Sequence, residues 1–110
     1  MKAKRVSQTN KIMPVDLDKR VKVRRLSNGL KVIVCENRHV SQSYAIALFK
    51  AGSRYESEAD NGLTHVLEHM VFRGAGRFKT SRALNEAAED IGGMLEAATY
   101  RDLLTFSTAA

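Results

Sequence analysis

Two early runs, "VKVRRLS", where Val21 and Val23 alternate with basic residues, and the apolar "LKVIVCE", bracket "SNGL". Alternation at period two marks a strand with one face turned toward a core. Asn28 and Gly29 suit a turn that needs positive φ, so the two runs read as a hairpin. A third run, "SYAIALFKAG", sets Tyr44, Ile46 and Leu48 against smaller residues and ends at Gly52. The polar stretch "SRYESEADN" is then a loop, in which Asp60 or Asn61 is placed to cap a helix by accepting orphan backbone N–H groups.

The period changes next. In "GLTHVLEHMVFRG", residues Val66, Leu67, Met70, Val71 and Phe72 make a helix apolar nearly all round, which predicts a buried element stopping at Gly74 or Gly76. A second helix from Thr80 or Ser81 puts Leu84, Ala87, Ala88 and Ile91 on one face, and Gly92-Gly93 ends it. The β-prone runs "MLEAATY" and "LLTFSTA", separated by Arg101-Asp102, form a second hairpin. The order strand, strand, strand, helix, helix, strand, strand predicts an α+β fold, with helices on one face of a largely antiparallel sheet.

Composition narrows this picture more than it changes it. A chain of 110 residues, 44% hydrophobic and 27% charged, is one small soluble domain or part of one. Its net charge of +6 suggests nucleic acid until it is divided along the chain. Residues 1–31 hold ten Lys/Arg against Asp16 and Asp18, whereas the remainder holds eight against ten acids. The excess therefore belongs to the N-terminal part, read over residues 1–20 as a solvated basic arm, and no nucleic-acid partner is expected. No apolar run of about 18 residues exists, so no membrane partner is expected either.

The opening "MKAKRVSQTNKIMPV" has cations without an apolar core, unlike a secretory signal, and lacks the arginine-rich amphipathic face of a mitochondrial presequence. Cys35 is the lone cysteine, which excludes an internal disulfide and fits a reducing compartment. A cytoplasmic location is the expectation, with mitochondrial and periplasmic ones left open. Within its apolar run Cys35 reads as a small buried strand residue, and His39 as an exposed loop histidine.

Candidate chemistry is concentrated in the first helix. Residues four apart on an α-helix share a face one turn apart, so the imidazoles of His65 and His69 can converge on one ion. Zinc accepts histidine nitrogen, and a catalytic zinc uses three protein ligands and keeps a position for water. Glu68 lies within the same turn, where its carboxylate could face that water as a base. A hydrogen-bonded core histidine is the usual explanation for a lone one, but two histidines and a glutamate on an apolar helix would need several partners at once. Glu86, Glu89 and Asp90 read as solvated surface charge.

His-x-x-Glu-His is the inverzincin signature. With its flanks, "LSNGLKVIV", "AGSRYESEADNGLTH", "FRGAGRF" and "LNEAAEDIGGMLEAATYRDLLTF", the stretch resembles the zinc metallopeptidase family of pitrilysin, insulysin and the mitochondrial processing peptidase. The resemblance covers roughly residues 21–108 and implies that residues 21–110 are the N-terminal part of such a peptidase domain. It implies His65 and His69 as ligands of Zn2+, Glu68 as general base, and a third ligand, a glutamate on a later helix, past Ala110. The isolated chain is accordingly expected to bind zinc weakly and hydrolyse little.

The same likeness makes residues 94–100 a substrate-binding edge strand, with Glu96, Ala97 and Thr99 as the substrate-binding positions. Glu96 stands where the family commonly has asparagine, and an ionised carboxylate cannot supply an amide donor. The implied partners are a peptide or polypeptide substrate and a second homologous domain or subunit. The alternative is a non-catalytic relative that keeps the fold to hold polypeptide or a partner.

Overall fold

A computed structural model describes residues 17–110, which divide into two compact units between Val40 and Ser41. The expected basic arm falls largely outside the described residues. In the first unit a single helical turn, α1 (Leu17–Arg20), leads into β1 (Val21–Arg25) and β2 (Lys31–Cys35). These strands pair antiparallel from Val21 with Cys35 to Arg25 with Lys31. Gly29 takes the positive φ of the turn, at 86°, whereas Asn28 does not. The Asn28 side chain instead accepts the Leu30 N–H at 3.1 Å, an Asx contact that closes the loop. Cys35 is exposed, contrary to the buried expectation, because the hairpin is a two-stranded sheet with exposed residues on both faces.

The second unit holds β3 (Tyr44–Phe49), α2 (Leu63–Val71), α3 (Ser81–Glu89), β4 (Met94–Thr99) and β5 (Leu104–Ala109). Two short 3-10 turns, Ser53–Tyr55 and Glu58–Asp60, occupy the expected loop. The three strands form an antiparallel sheet in the order β3-β5-β4. The expected β4–β5 hairpin is present, and β4 lies at one edge of this sheet.

Both helices pack against β4. Strand side chains alternate between faces, and one row on the helix side runs Ala47, Phe106, Ala97. The Phe106 ring lies 6.4 Å from Phe72, just past α2, and 6.1 Å edge-on from Phe49. The core is small: the buried hydrophobic residues among those described are Ala88 and Leu104, 8% and 3% exposed. Complete burial of a leucine contributes about 1.5–3 kcal/mol. Tyr44, Ile46 and Leu48 line an open depression on the sheet, together with Glu96, Thr105 and Ser107.

Three expectations are corrected here. Helix α2 has no buried residue: Leu63, Val66, Leu67 and Met70 are exposed, since the described elements of this unit cover only its side toward β4. Ile91 lies beyond the end of α3 and is exposed, so the buried face of that helix stops at Ala88. Neither Asp60 nor Asn61 caps α2. Asp60 accepts the Ser57 hydroxyl at 2.7 Å, and the residue at the start of α2 is Gly62. No helix among the described residues is long and apolar enough to cross a membrane.

Candidate metal centre

The site is built from the entrance of α2 inward. Gly62 adopts φ 94°, a left-handed conformation that costs a glycine nothing, and its carbonyl accepts the Val66 N–H at 3.0 Å to open the helix. Glycine has no side chain to satisfy the orphan N–H groups that follow. Glu56 supplies the acceptors from the preceding loop: its two carboxylate oxygens take the Gly62 N–H at 2.8 Å and the Thr64 N–H at 2.7 Å. The Thr64 side chain, then the Thr64 and Gly62 backbone N–H groups, hold the Glu56 carboxyl below its ordinary range. An anion at a helix N-terminus is also favoured by the helix dipole. Helix α3 is capped more conventionally, by Thr80 Oγ1 accepting the Ala83 N–H at 3.2 Å.

With α2 held at that end, its first turns bring together the three expected residues. One ligand atom each of His65, Glu68 and His69 lies within 4.8 Å of the others. The two Nε2 atoms of His65 and His69 are 3.1 Å apart, with the rings 4.7 Å between centroids and nearly perpendicular at 87°. Two nitrogens bound at about 2.0–2.1 Å to a tetrahedral ion stand roughly 3.3–3.4 Å apart, so the observed spacing fits a shared zinc closely. The donor set of two imidazoles and a carboxylate suits zinc as well.

Glu68 differs from its neighbours. The His65 side chain is 62% exposed, whereas that of Glu68 is 14% exposed. Thr99 Oγ1, at the end of β4, donates a hydrogen bond to Glu68 Oε2. The same oxygen lies 3.9 Å from His65 Nδ1, too far for a hydrogen bond. Beside this cluster is a cleft of about 430 Å³ lined by Ser53, Glu56, Gly62, His65, Thr99, Tyr100 and Arg101.

The other expected residues are distributed by the pleat of β4. Thr99 faces α2, in the cleft with His65. Glu96 lines the depression with Tyr44, Ile46 and Leu48, whereas Ala97 borders it although its side chain shares the helix-side row with Phe106, so the three substrate-binding positions do not converge on one cavity. Glu86 pairs with Arg82 at 2.6 Å on an exposed helix face, and Glu89 and Asp90 are exposed, as solvated charge should be. His39 is exposed, its N–H bonded to Asn37 Oδ1. Sequence reasoning missed Glu56, an acceptor six to eight residues before its donors, because capping rules look only one turn away. The Thr99–Glu68 contact spans 31 residues and has no local signature.

Comparison with known proteins bears on the same residues. The sequence model of the insulinase family, peptidase family M16, matches residues 31–110. A probable mitochondrial-processing peptidase subunit beta from Arabidopsis thaliana is 45% identical over 85 residues, 77% of this chain and 16% of that protein. An uncharacterized zinc protease from Rickettsia bellii is 35% identical over 77 residues, 70% of this chain and 18% of the relative. The crystal structure of pitrilysin aligns with a TM-score of 0.75 at 28% identity, covering 93% of this chain and 11% of that one. The chain thus spans less than a fifth of the length of these relatives. With the family's α+β arrangement and a family match over most of its length, this chain belongs to the insulinase (M16) family of peptidases.

Proposed function

We propose that this chain carries the zinc-binding and base-bearing part of a metallopeptidase that cleaves peptide bonds with an activated water. The observation that carries the reading is the convergence of His65, Glu68 and His69 within 4.8 Å on α2. His65 and His69 would hold zinc through their paired Nε2 atoms. When bound, zinc lowers the pKa of its water and polarises a carbonyl oxygen. Glu68 takes a proton from water as the water oxygen adds to the peptide carbonyl carbon. The same proton then passes to the amide nitrogen as the C–N bond breaks, leaving a carboxylic acid and an amine.

The open edge of β4 offers backbone hydrogen-bonding groups to an extended peptide, and Thr99 brings that edge next to the base. The substrate is accordingly a peptide or unfolded polypeptide. A catalytic zinc uses three protein ligands, so a further one joins the two histidines, and a second homologous domain or subunit completes the enclosure. A relative named as a subunit beta supports that partner. The same relative is mitochondrial, so the cytoplasmic expectation draws no support from it.

Calorimetric zinc titration and peptide hydrolysis together test the reading. One zinc per chain is expected, with affinity falling at least about tenfold in His65→Ala and His69→Ala. In a longer protein that supplies the third ligand, Glu68→Gln should keep zinc and lose turnover by about 10²–10⁴-fold. Zinc binding undiminished in the double histidine variant, or turnover surviving in Glu68→Gln, would overturn it.

A further inference from the structure

The hydrogen bond between Thr99 and Glu68 has a fixed direction. An ionised carboxylate only accepts, so the threonine hydroxyl donates, and it takes up Oε2. Among the described residues no other hydrogen-bond donor reaches this carboxylate, which is also the least exposed of the three site groups. Oε1 is thereby left as the oxygen available to a proton. The donor sits on β4, the strand at the sheet edge, whereas the acceptor sits on α2.

A glutamate side chain has three rotatable bonds, and a single charge-assisted hydrogen bond to one oxygen fixes the orientation of the other. Orientation matters for a general base, since a misplacement of about 1 Å can cost about 10²-fold in rate. Resting on the peptidase reading above, we infer that Thr99 is a positioning residue for Glu68. Its hydroxyl pins Oε2 so that Oε1 is presented to the reacting water. The sequence resemblance treats Thr99 as a substrate contact, and the geometry gives it this different task. A peptide pairing along β4 would then order the strand that carries the donor, so that filling the edge also steadies the base.

The test uses the whole chain with Thr99→Val, Thr99→Ala and Thr99→Ser. In the metal-free protein the ¹³C carboxyl resonance of Glu68 is assigned by its disappearance in Glu68→Gln. Thr99→Val and Thr99→Ala should both displace that resonance, whereas Thr99→Ser, which keeps the hydroxyl, should leave it in place. In a longer zinc-loaded protein that supplies the third ligand, kcat should fall about 10- to 100-fold in the two variants without a hydroxyl, with KM and zinc affinity unchanged, and Thr99→Ser should restore it. A resonance unmoved in both hydroxyl-free variants would overturn the inference. So would a raised KM with kcat kept, which would make Thr99 a peptide contact. Thr99→Ala reads the same bond if Thr99→Val does not fold. Because the resonance needs neither metal nor turnover, a longer protein that binds no zinc sinks the peptidase reading while the tether is still decided by its own signal.

Discussion

Replacing Phe106 by alanine probes the packing that seats α2 on the sheet. Phe106 lies on the central strand β5 and is half-buried, with Phe49 edge-on at 6.1 Å and Phe72 tilted at 6.4 Å. Complete burial would put Phe→Ala at 3–5 kcal/mol. Partial exposure brings this to about 2 kcal/mol, a figure that includes two ring pairs at about 0.5–1.5 kcal/mol each. That is roughly a 30-fold loss in the folded-to-unfolded ratio. In a unit of this size it lowers the melting temperature by about 8–16 °C. Urea unfolding followed by circular dichroism measures it, with Tyr44→Ala as control. Tyr44 lies among residues of the open depression and is 65% exposed, so its loss should stay within about 0.5 kcal/mol. Equal losses in the two variants would refute the assignment of Phe106 to the helix-covered side. Hydrogen exchange adds a second reading: protection at Val71 and Phe72 should fall in Phe106→Ala and not in Tyr44→Ala.

Two further outcomes follow from the helix entrances. Hydrogen bonds hold the Glu56 carboxyl low, so the folded chain favours its ionised form; that stabilisation is fully present above the ordinary glutamate range and disappears as pH falls through the lowered one. Glu56→Gln should therefore flatten the acid limb of the urea midpoint measured from pH 6 down to pH 3, and an unchanged acid limb would count against the cap. Thr80→Ala removes the acceptor for the Ala83 N–H and should cost about 1 kcal/mol, whereas Thr80→Ser should cost little. Equal losses in Thr80→Ala and Thr80→Ser, read from the same denaturation curves, would show that the hydroxyl is not the cap.

Local rules reached the elements and stopped short of their surroundings. The β2, β3 and α3 segments were readable because period and punctuation are properties of neighbours in sequence. The apolar circumference of α2 suggested burial, yet Leu63, Val66, Leu67 and Met70 are exposed. Apolarity states what a surface would gain from cover and says nothing about whether cover is present. His65 and His69 are likewise exposed, so burial gives no reason for a metal there, and the proposed site rests on the approach of His65, Glu68 and His69 within 4.8 Å. Asp60 and Asn61 are good capping residues in the right place. They were displaced by Glu56 because Gly62 opens the helix and the chain folds back through two 3-10 turns to bring that carboxylate in.

Local sequence sets the spacing of His65, Glu68 and His69, since the pitch of a helix is fixed by backbone hydrogen bonding whatever surrounds it. It also determined the alternation of β4, which puts Thr99 and Glu96 on opposite faces of the strand. Tertiary structure alone decided which face meets the helix. That choice depends on the register of β4 with β5 and on where α2 lands, both set by contacts between residues distant in sequence. It turned Thr99 toward Glu68 and sent Glu96 to the other cavity.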